Sequence, residues 1–221
     1  MKDLFVDLTP EQYENFAIVG TSIWNSYLKD RILEEMMNIN SGKNKLLDVG
    51  MGTGHILFDL LDFPEFDNYH LNGIDLDFRM VDFCNEKIKK HSVQSRITVY
   101  KGSASALPFQ HNMFSLIYGR SVIHHWSNPQ KGLQEICRVL DKGGIAIIHE
   151  PLSDADEDAI KLFNKEREKC GISNMSTEEK YTLDGIQSLL FSCQMKDVEY
   201  HVQKGTGIGA LGCEILLKKK V

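Results

Sequence analysis

The sequence of 221 residues has little of what marks a secreted, membrane-spanning or nucleic-acid-binding chain. Its five cysteines, Cys84, Cys137, Cys170, Cys193 and Cys213, are odd in number and scattered. No C-x-x-C pair occurs, which removes the common zinc and dithiol arrangements, so reduced and mostly buried thiols are expected and no metal site. Long apolar runs are missing as well. The longest, Ile145 to Ile148, is far too short to span a bilayer, and Met1 to Gln12 alternates charged with apolar residues and lacks a signal-peptide core. A cytoplasmic protein is expected. There is no excess of positive charge: 25 Lys and Arg against 31 Asp and Glu give a net charge of −6, which argues against an affinity built on neutralising phosphates. The one basic cluster, Lys218-Lys219-Lys220, reads as a solvated chain end.

What is present is an ordinary globular composition, 42% hydrophobic and 25% charged, at a length suited to one core. Thr9-Pro10-Glu11-Gln12 is a helix start, with Thr9 capping, Pro10 at the first helical position and Gln12 closing a capping box; a short helix to about Ile18 follows. Over Ser22 to Ile39, Trp24, Leu28, Ile32 and Met36 recur four apart, which predicts a second helix with an apolar inward face. The chain then alternates. Strands are predicted at 45–49, 70–75, 97–101, 115–119 and 144–149, and helices at 54–61, 78–90 and 130–140, the last closed by Lys142-Gly143-Gly144. Such a rhythm predicts an α/β fold, a doubly wound and mostly parallel sheet. Helices at 154–169 and 182–191 and two further strands, about 195–202 and 212–218, complete it. Residues 170–181 have no period and read as a surface connection or a lid.

The informative residues fall at predicted strand ends, where ligands bind in such sheets. Leu46-Leu47-Asp48-Val49-Gly50-Met51-Gly52-Thr53-Gly54-His55 runs from a strand into a glycine-rich turn and a helix. Its glycine spacing differs from the dinucleotide fingerprint G-x-G-x-x-G, and Asp48 would repel a pyrophosphate. A nicotinamide-dependent oxidoreductase is thereby disfavoured. The same carboxylate suits a ligand with an amine, a sulfonium and sugar hydroxyls, namely S-adenosyl-L-methionine (SAM). Asp75 closes the second strand and has two oxygens for two ribose hydroxyls. Gly102-Ser103-Ala104, Arg120-Ser121 and His149-Glu150 close the next three.

Through LLDVGMGTGHI, GIDLD, GSASALPF, the His124-His125-Trp126 segment and RVLDKGGIAIIHEP, residues 46 to 151 resemble a class I SAM-dependent methyltransferase, in the group that includes the ubiquinone and menaquinone biosynthesis methyltransferases. The resemblance implies a Rossmann-like sheet of seven strands with an antiparallel last pair, one domain over 1–221, with capping helices in 1–41 and the core in 42–221. It also implies a small-molecule acceptor, while the charge balance and the short apolar runs predict no nucleic-acid or membrane partner. Gly50, Gly52 and Gly54 would line the methionine part of SAM, Asp75 would hold the ribose, Ser103 and Ala104 would meet the adenine edge and Leu76 its face. Ser103 stands where the family usually has an acidic residue. A neutral acceptor in place of a charged one costs about 1–2 kcal/mol, which leaves binding possible.

Methyl transfer from a sulfonium needs alignment above all, and only a weakly ionised acceptor also needs a base. His124 and Glu150 are the candidate bases. Adjacent side chains on a helical turn diverge by about 100°, so only one of His124 and His125 is expected to face the pocket, with His124 favoured and His125 structural or beside the acceptor. His55 would lie beside the cofactor or simply open its helix. Trp24 and Tyr27 would cover the acceptor pocket or face the core. A module that binds SAM without catalysis is the alternative. Strand four ends in Tyr118-Gly119-Arg120-Ser121 and lacks the Asn-Pro-Pro-Tyr type of motif used on base amines.

Overall fold

A computed structural model describes residues 8–221; the expectation for Met1 to Gln12 thus lies partly outside the described residues. Seven strands form one sheet: β1 (Lys45–Val49), β2 (His70–Asp75), β3 (Ile97–Lys101), β4 (Phe114–Arg120), β5 (Leu140–Pro151), β6 (Val198–Lys204) and β7 (Gly212–Lys219). Their order is β3-β2-β1-β4-β5-β7-β6. The first five pair in parallel, and β7 runs antiparallel between β5 and β6. The switch in direction lies between β1 and β4, so the ends of these two strands open a crevice at the sheet edge.

Alternation along the strands sends successive side chains to opposite faces. Leu47, Ile117, Ala146 and Ile148 pack on one side against Leu133 and Ile136 of α5 (Pro129–Val139) and Ile186 and Leu190 of α7 (Leu183–Ser192). Their neighbours Leu46, Leu116, Ile145 and Ile147 pack on the other, against Leu28 and Ile32 of α2 (Ser22–Met36), Leu57 and Leu60 of α3 (His55–Leu60) and Val81 and Ile88 of α4 (Phe78–Lys90). A third cluster, Phe16, Trp24, Phe163, Met175 and Leu211, stands over the strand ends. It joins α2 to α6 (Glu157–Lys169).

Several local expectations change. Helix α1 (Pro10–Asn15) has the Thr9/Gln12 capping box, but the chain continues through a π-helical turn, Phe16–Gly20, that is wider than the helix expected to Ile18. Helix α2 ends at Met36, and its inward face buries Asn25 and Glu35 among the apolar residues. Asn25 donates to the Ala17 carbonyl at 2.6 Å while its Oδ1 is buried without a partner, and Glu35 binds Arg31 and Lys218, which offsets the burial of its charge. The glycines at 143 and 144 do not close a helix. They lie inside β5, where Gly143 has φ +70° and a Cβ would strike the Asn40 carbonyl. The terminal lysines are not a free tail: Lys218 binds Glu35 at 3.0 Å, and Lys219 donates to Asn112 and to the carbonyls of Cys137 and Leu140 at 2.7–2.8 Å. No helix among the described residues is long and apolar enough to cross a membrane.

Candidate active site

The turn after β1 rises over the switch point in a conformation that side chains resist. Gly50 and Gly52 have φ of +75° and +56°, and a Cβ on Gly52 would meet the Tyr13 ring. Gly50 N–H and Met51 N–H donate to the Ile74 carbonyl at 2.8 and 3.1 Å, which fixes the turn to β2. At the end of β2, Asp75 Oδ2 accepts from Gly52 N–H at 2.8 Å and Oδ1 from Asp77 N–H at 2.9 Å. Burial raises its pKa, and those backbone donors oppose the rise. The glycine turn and the carboxylate of Asp75 are therefore in direct contact, and each carboxylate oxygen keeps a lone pair.

A cavity of about 520 Å³ opens there. Gly50, Gly52, Asp75, Leu76, Ser103, Ala104, Arg120 and Ser121 line it, as do Trp24, Tyr27, His124, His125 and Glu150. Asp48, Gly54 and His55 do not; they lie behind the wall. Asp48 is 4% exposed, and burial, aided by Asp75, pushes its carboxyl up to about 8 against the pull of Tyr118 and Arg120. Gly54 is where α4 presses in, because a Cβ would come within 2.6 Å of Cys84 Sγ. Both ring nitrogens of His55 are buried without a partner, and burial with Arg120, Lys87 and Lys29 holds its pKa down to about 3. It is a neutral packing residue.

Glu150 is a brace. Its Oε2 accepts from Val122 and Ile123 N–H at 3.0 Å each, while Oε1 accepts from His124 N–H at 3.2 Å and contacts His124 Nδ1. At 1% exposure it has no oxygen left to act as a base toward a ligand. The expected divergence of the two histidines fails as well. The segment Ile123–His125 is a 3-10 turn, and the rings lie 4.0 Å apart with both lining the cavity. Trp24 meets Phe163 edge-on at 4.8 Å, and Tyr27 stacks on His149 at 5.1 Å. His149 in turn binds Glu214, which also takes Arg31; burial raises the Glu214 pKa, but these two partners outweigh it and hold the group near 2.

Tyr13, Thr21, Phe163, Arg167, Met175 and Lys180, which no sequence motif marked, also line the cavity. Tyr13 is half-buried, and the loss of solvent around its hydroxyl pushes its pKa up to about 12 despite Arg120. Thr21 Oγ1 accepts from Arg120 at 3.1 Å, while Arg120 Nε is buried with no partner. Glu14 ties α1 down by contacting both Thr53 in the glycine turn and Lys87 on α4. The only local signal for the α6 residues is the four-residue spacing of Ala159, Phe163 and Arg167, which a charged helix hides.

Residues 47–148 match the family model described as a methyltransferase domain. The chain is 29% identical over 157 residues, 68% of its length and 43% of the relative's, to 2-methyl-6-phytyl-1,4-hydroquinone methyltransferase 2, chloroplastic, of Oryza sativa. It is 30% identical over 128 residues, 55% of its length and 51% of the relative's, to the demethylmenaquinone methyltransferase of Leptospira interrogans. The chain thus spans about half the length of such relatives. A solved Methanococcus maripaludis structure, provisionally described as a SAM-dependent methyltransferase, superposes with a TM-score of 0.70 at 18% identity, covering 100% of this chain and 96% of that one. Residues 47–148 are thus similar to a methyltransferase domain, and the chain as a whole shares the fold of that solved structure.

Proposed function

We propose that the protein transfers a methyl group from SAM to a small organic molecule, with 1–41 as a cap and 42–221 as the core of one domain. The observation that carries this reading is the contact between the glycine turn and Asp75 at the mouth of a cavity that continues under an aromatic roof. The buried, unpartnered Nε of Arg120 fits the cofactor further, since a carboxylate on the methionine moiety would complete it. Asp75 would take the ribose hydroxyls with its remaining lone pairs, Gly50 and Gly52 line the part of the cavity that would take the amino-acid tail, and Leu76, Ser103, Ala104 and Ser121 line the rest. Ser103 Oγ already accepts from Ser105 N–H at 3.2 Å, so its second lone pair is the one open to adenine.

Bound SAM supplies a methyl group on a positively charged sulfur, so no acid is needed at the leaving side. The residues of this chain supply alignment and a dry wall. Phe16, Trp24, Phe163 and Met175 enclose the acceptor side, and Tyr27 and His125 border it. Glu150 positions His124 through Nδ1, which leaves Nε2 as the atom that would take a proton from a weakly ionised acceptor. The names of the relatives, quinone and hydroquinone methyltransferases, support a small acceptor, and the net charge of −6 supports it over nucleic acid. Five free cysteines fit a reducing compartment such as the cytoplasm.

Calorimetric titration tests the reading. SAM and S-adenosylhomocysteine should each saturate one site below a millimolar, and Asp75→Asn should weaken both at least about tenfold, because charged acceptors of the ribose hydroxyls become neutral. No binding to the unmodified chain sinks the proposal. Unchanged affinity in the variant removes Asp75 from the site.

A further inference from the structure

On α6, Phe163 and Arg167 stand one turn apart on the wall of the cavity's aromatic end. Arg167 is 3% exposed. Its Nε donates to the Ser173 carbonyl at 2.5 Å, and its guanidinium carbon lies 5.4 Å from the Phe16 ring centre and 5.6 Å from that of Phe163. The Nη2 atom is buried with no partner. Ring faces attract the cation but leave that N–H unsatisfied, and a buried charge without a counterion is costly to keep. Arg31 is paired with Glu35 and Glu214, and Arg138 with Glu135, whereas Arg167, like Arg120 at the opposite end of the cavity, has no carboxylate beside it. Arg167 makes no ion pair among the described residues. Burial alone lowers its pKa, with no carboxylate opposing it, and an arginine stays charged regardless.

Lys180, a second cation on this wall, donates to the Ser176 carbonyl at 2.7 Å and already has Glu150 and Glu179 in its field. One positive charge is left over. With Nε committed to Ser173, the guanidinium offers its free Nη2 to a single oxygen, and a dianion would bring surplus negative charge close to Glu150 and Glu179. The remaining wall is Phe16, Trp24, Met175 and Leu211.

We propose that Arg167 selects the methyl acceptor by binding a carboxylate on it, so that the substrate is a small monocarboxylate with an aromatic or otherwise apolar body. This rests on the methyltransferase reading for the word acceptor, and not for the binding itself. The full chain, saturated with S-adenosylhomocysteine, is titrated with 3-phenylpropionate and with its neutral amide, read by calorimetry and by tryptophan fluorescence, since Trp24 packs on Phe163. The acid should bind at least about tenfold tighter than the amide. Arg167→Met should abolish that preference, Arg167→Lys should keep part of it, and S-adenosylhomocysteine affinity should stay within about twofold in both variants because the two subsites do not share this side chain. Equal affinities for acid and amide, no binding of the acid, or a preference that survives in Arg167→Met overturns the inference. Failure of S-adenosylhomocysteine to bind the unmodified chain overturns the methyltransferase reading instead, and the comparison of acid with amide, repeated without it, still reads Arg167.

Discussion

Asp48 shows how one residue can sit in the glycine-turn motif and still lie outside the cavity. Its carboxyl, ordinarily near 3.8, is pushed to about 8 by burial behind the glycine turn. Between those values the unfolded chain has released this proton while the folded chain retains it, so the folded state binds more protons and stability falls as pH rises. The slope from this group reaches about 1.4 kcal/mol per pH unit and ends above its folded pKa. Asp48→Asn, neutral at every pH, should flatten the dependence and be more stable than the unmodified chain at pH 8, as read from urea unfolding at pH 5.5 and 8. A variant with the same pH slope as the parent would show that Asp48 is ionised in the fold. Asp75 and Arg120 were legible as candidate site residues because they end strands. Arg167 was not, because its burial depends on Phe16 from another segment entirely.

At the scale of elements, the N-terminal helices extend the candidate site beyond the sheet. Helix α1 is held by its capping box at one end and by Glu14 near the other, where that carboxylate bridges the glycine turn and α4. Tyr13 of the same helix stands over Gly52. A ligand lying along that turn would be covered by α1, and its release is expected to need the helix to lift. Glu14→Ala removes two charge-assisted contacts, so the dissociation rate of S-adenosylhomocysteine in stopped-flow displacement should rise about tenfold. A rate unchanged by the substitution would mean that α1 does not gate the site. The 170–181 segment is likewise fastened to α6: Arg167 donates to the Ser173 carbonyl, and Asn164 Oδ1 accepts from Met175 N–H at 2.8 Å. The strands and central helices were readable from periodicity and caps. The limits of β5 were not, since the paired glycines that end a helix in one context are here tolerated inside a strand packed against Asn40.

For the whole molecule, the cavity is built by many elements at once: the ends of β1, β2, β4 and β5 and the turn after β3 supply its floor, α1 and α2 one wall, and α6 with the following segment the other. Ligand binding should then stabilise the fold globally. At a SAM concentration of about 100 Kd the gain is about 2.7 kcal/mol, which for a chain of this size corresponds to a rise in Tm of about 5–10 °C. Differential scanning fluorimetry reads it, and a Tm indifferent to SAM at saturating concentration would contradict a site shared among so many elements. The lysines near the chain end belong to this scale too. Lys219 pins the end of α5 through two carbonyls, a role invisible in a run of three like charges.

The sequence by itself determined the alternation of strands and helices, the glycine turn, and the placing of Asp75, Ser103, Arg120 and Glu150 at strand ends, because these depend on residues adjacent in the chain and on the two short periods of strand and helix. Only the tertiary structure decided which of them face the cavity. Asp48 and His55 are turned into the core by the helices that close over them, Glu150 is consumed by four donors from the loop after β4, and the aromatic roof with its uncompensated arginine exists only where segments more than a hundred residues apart meet.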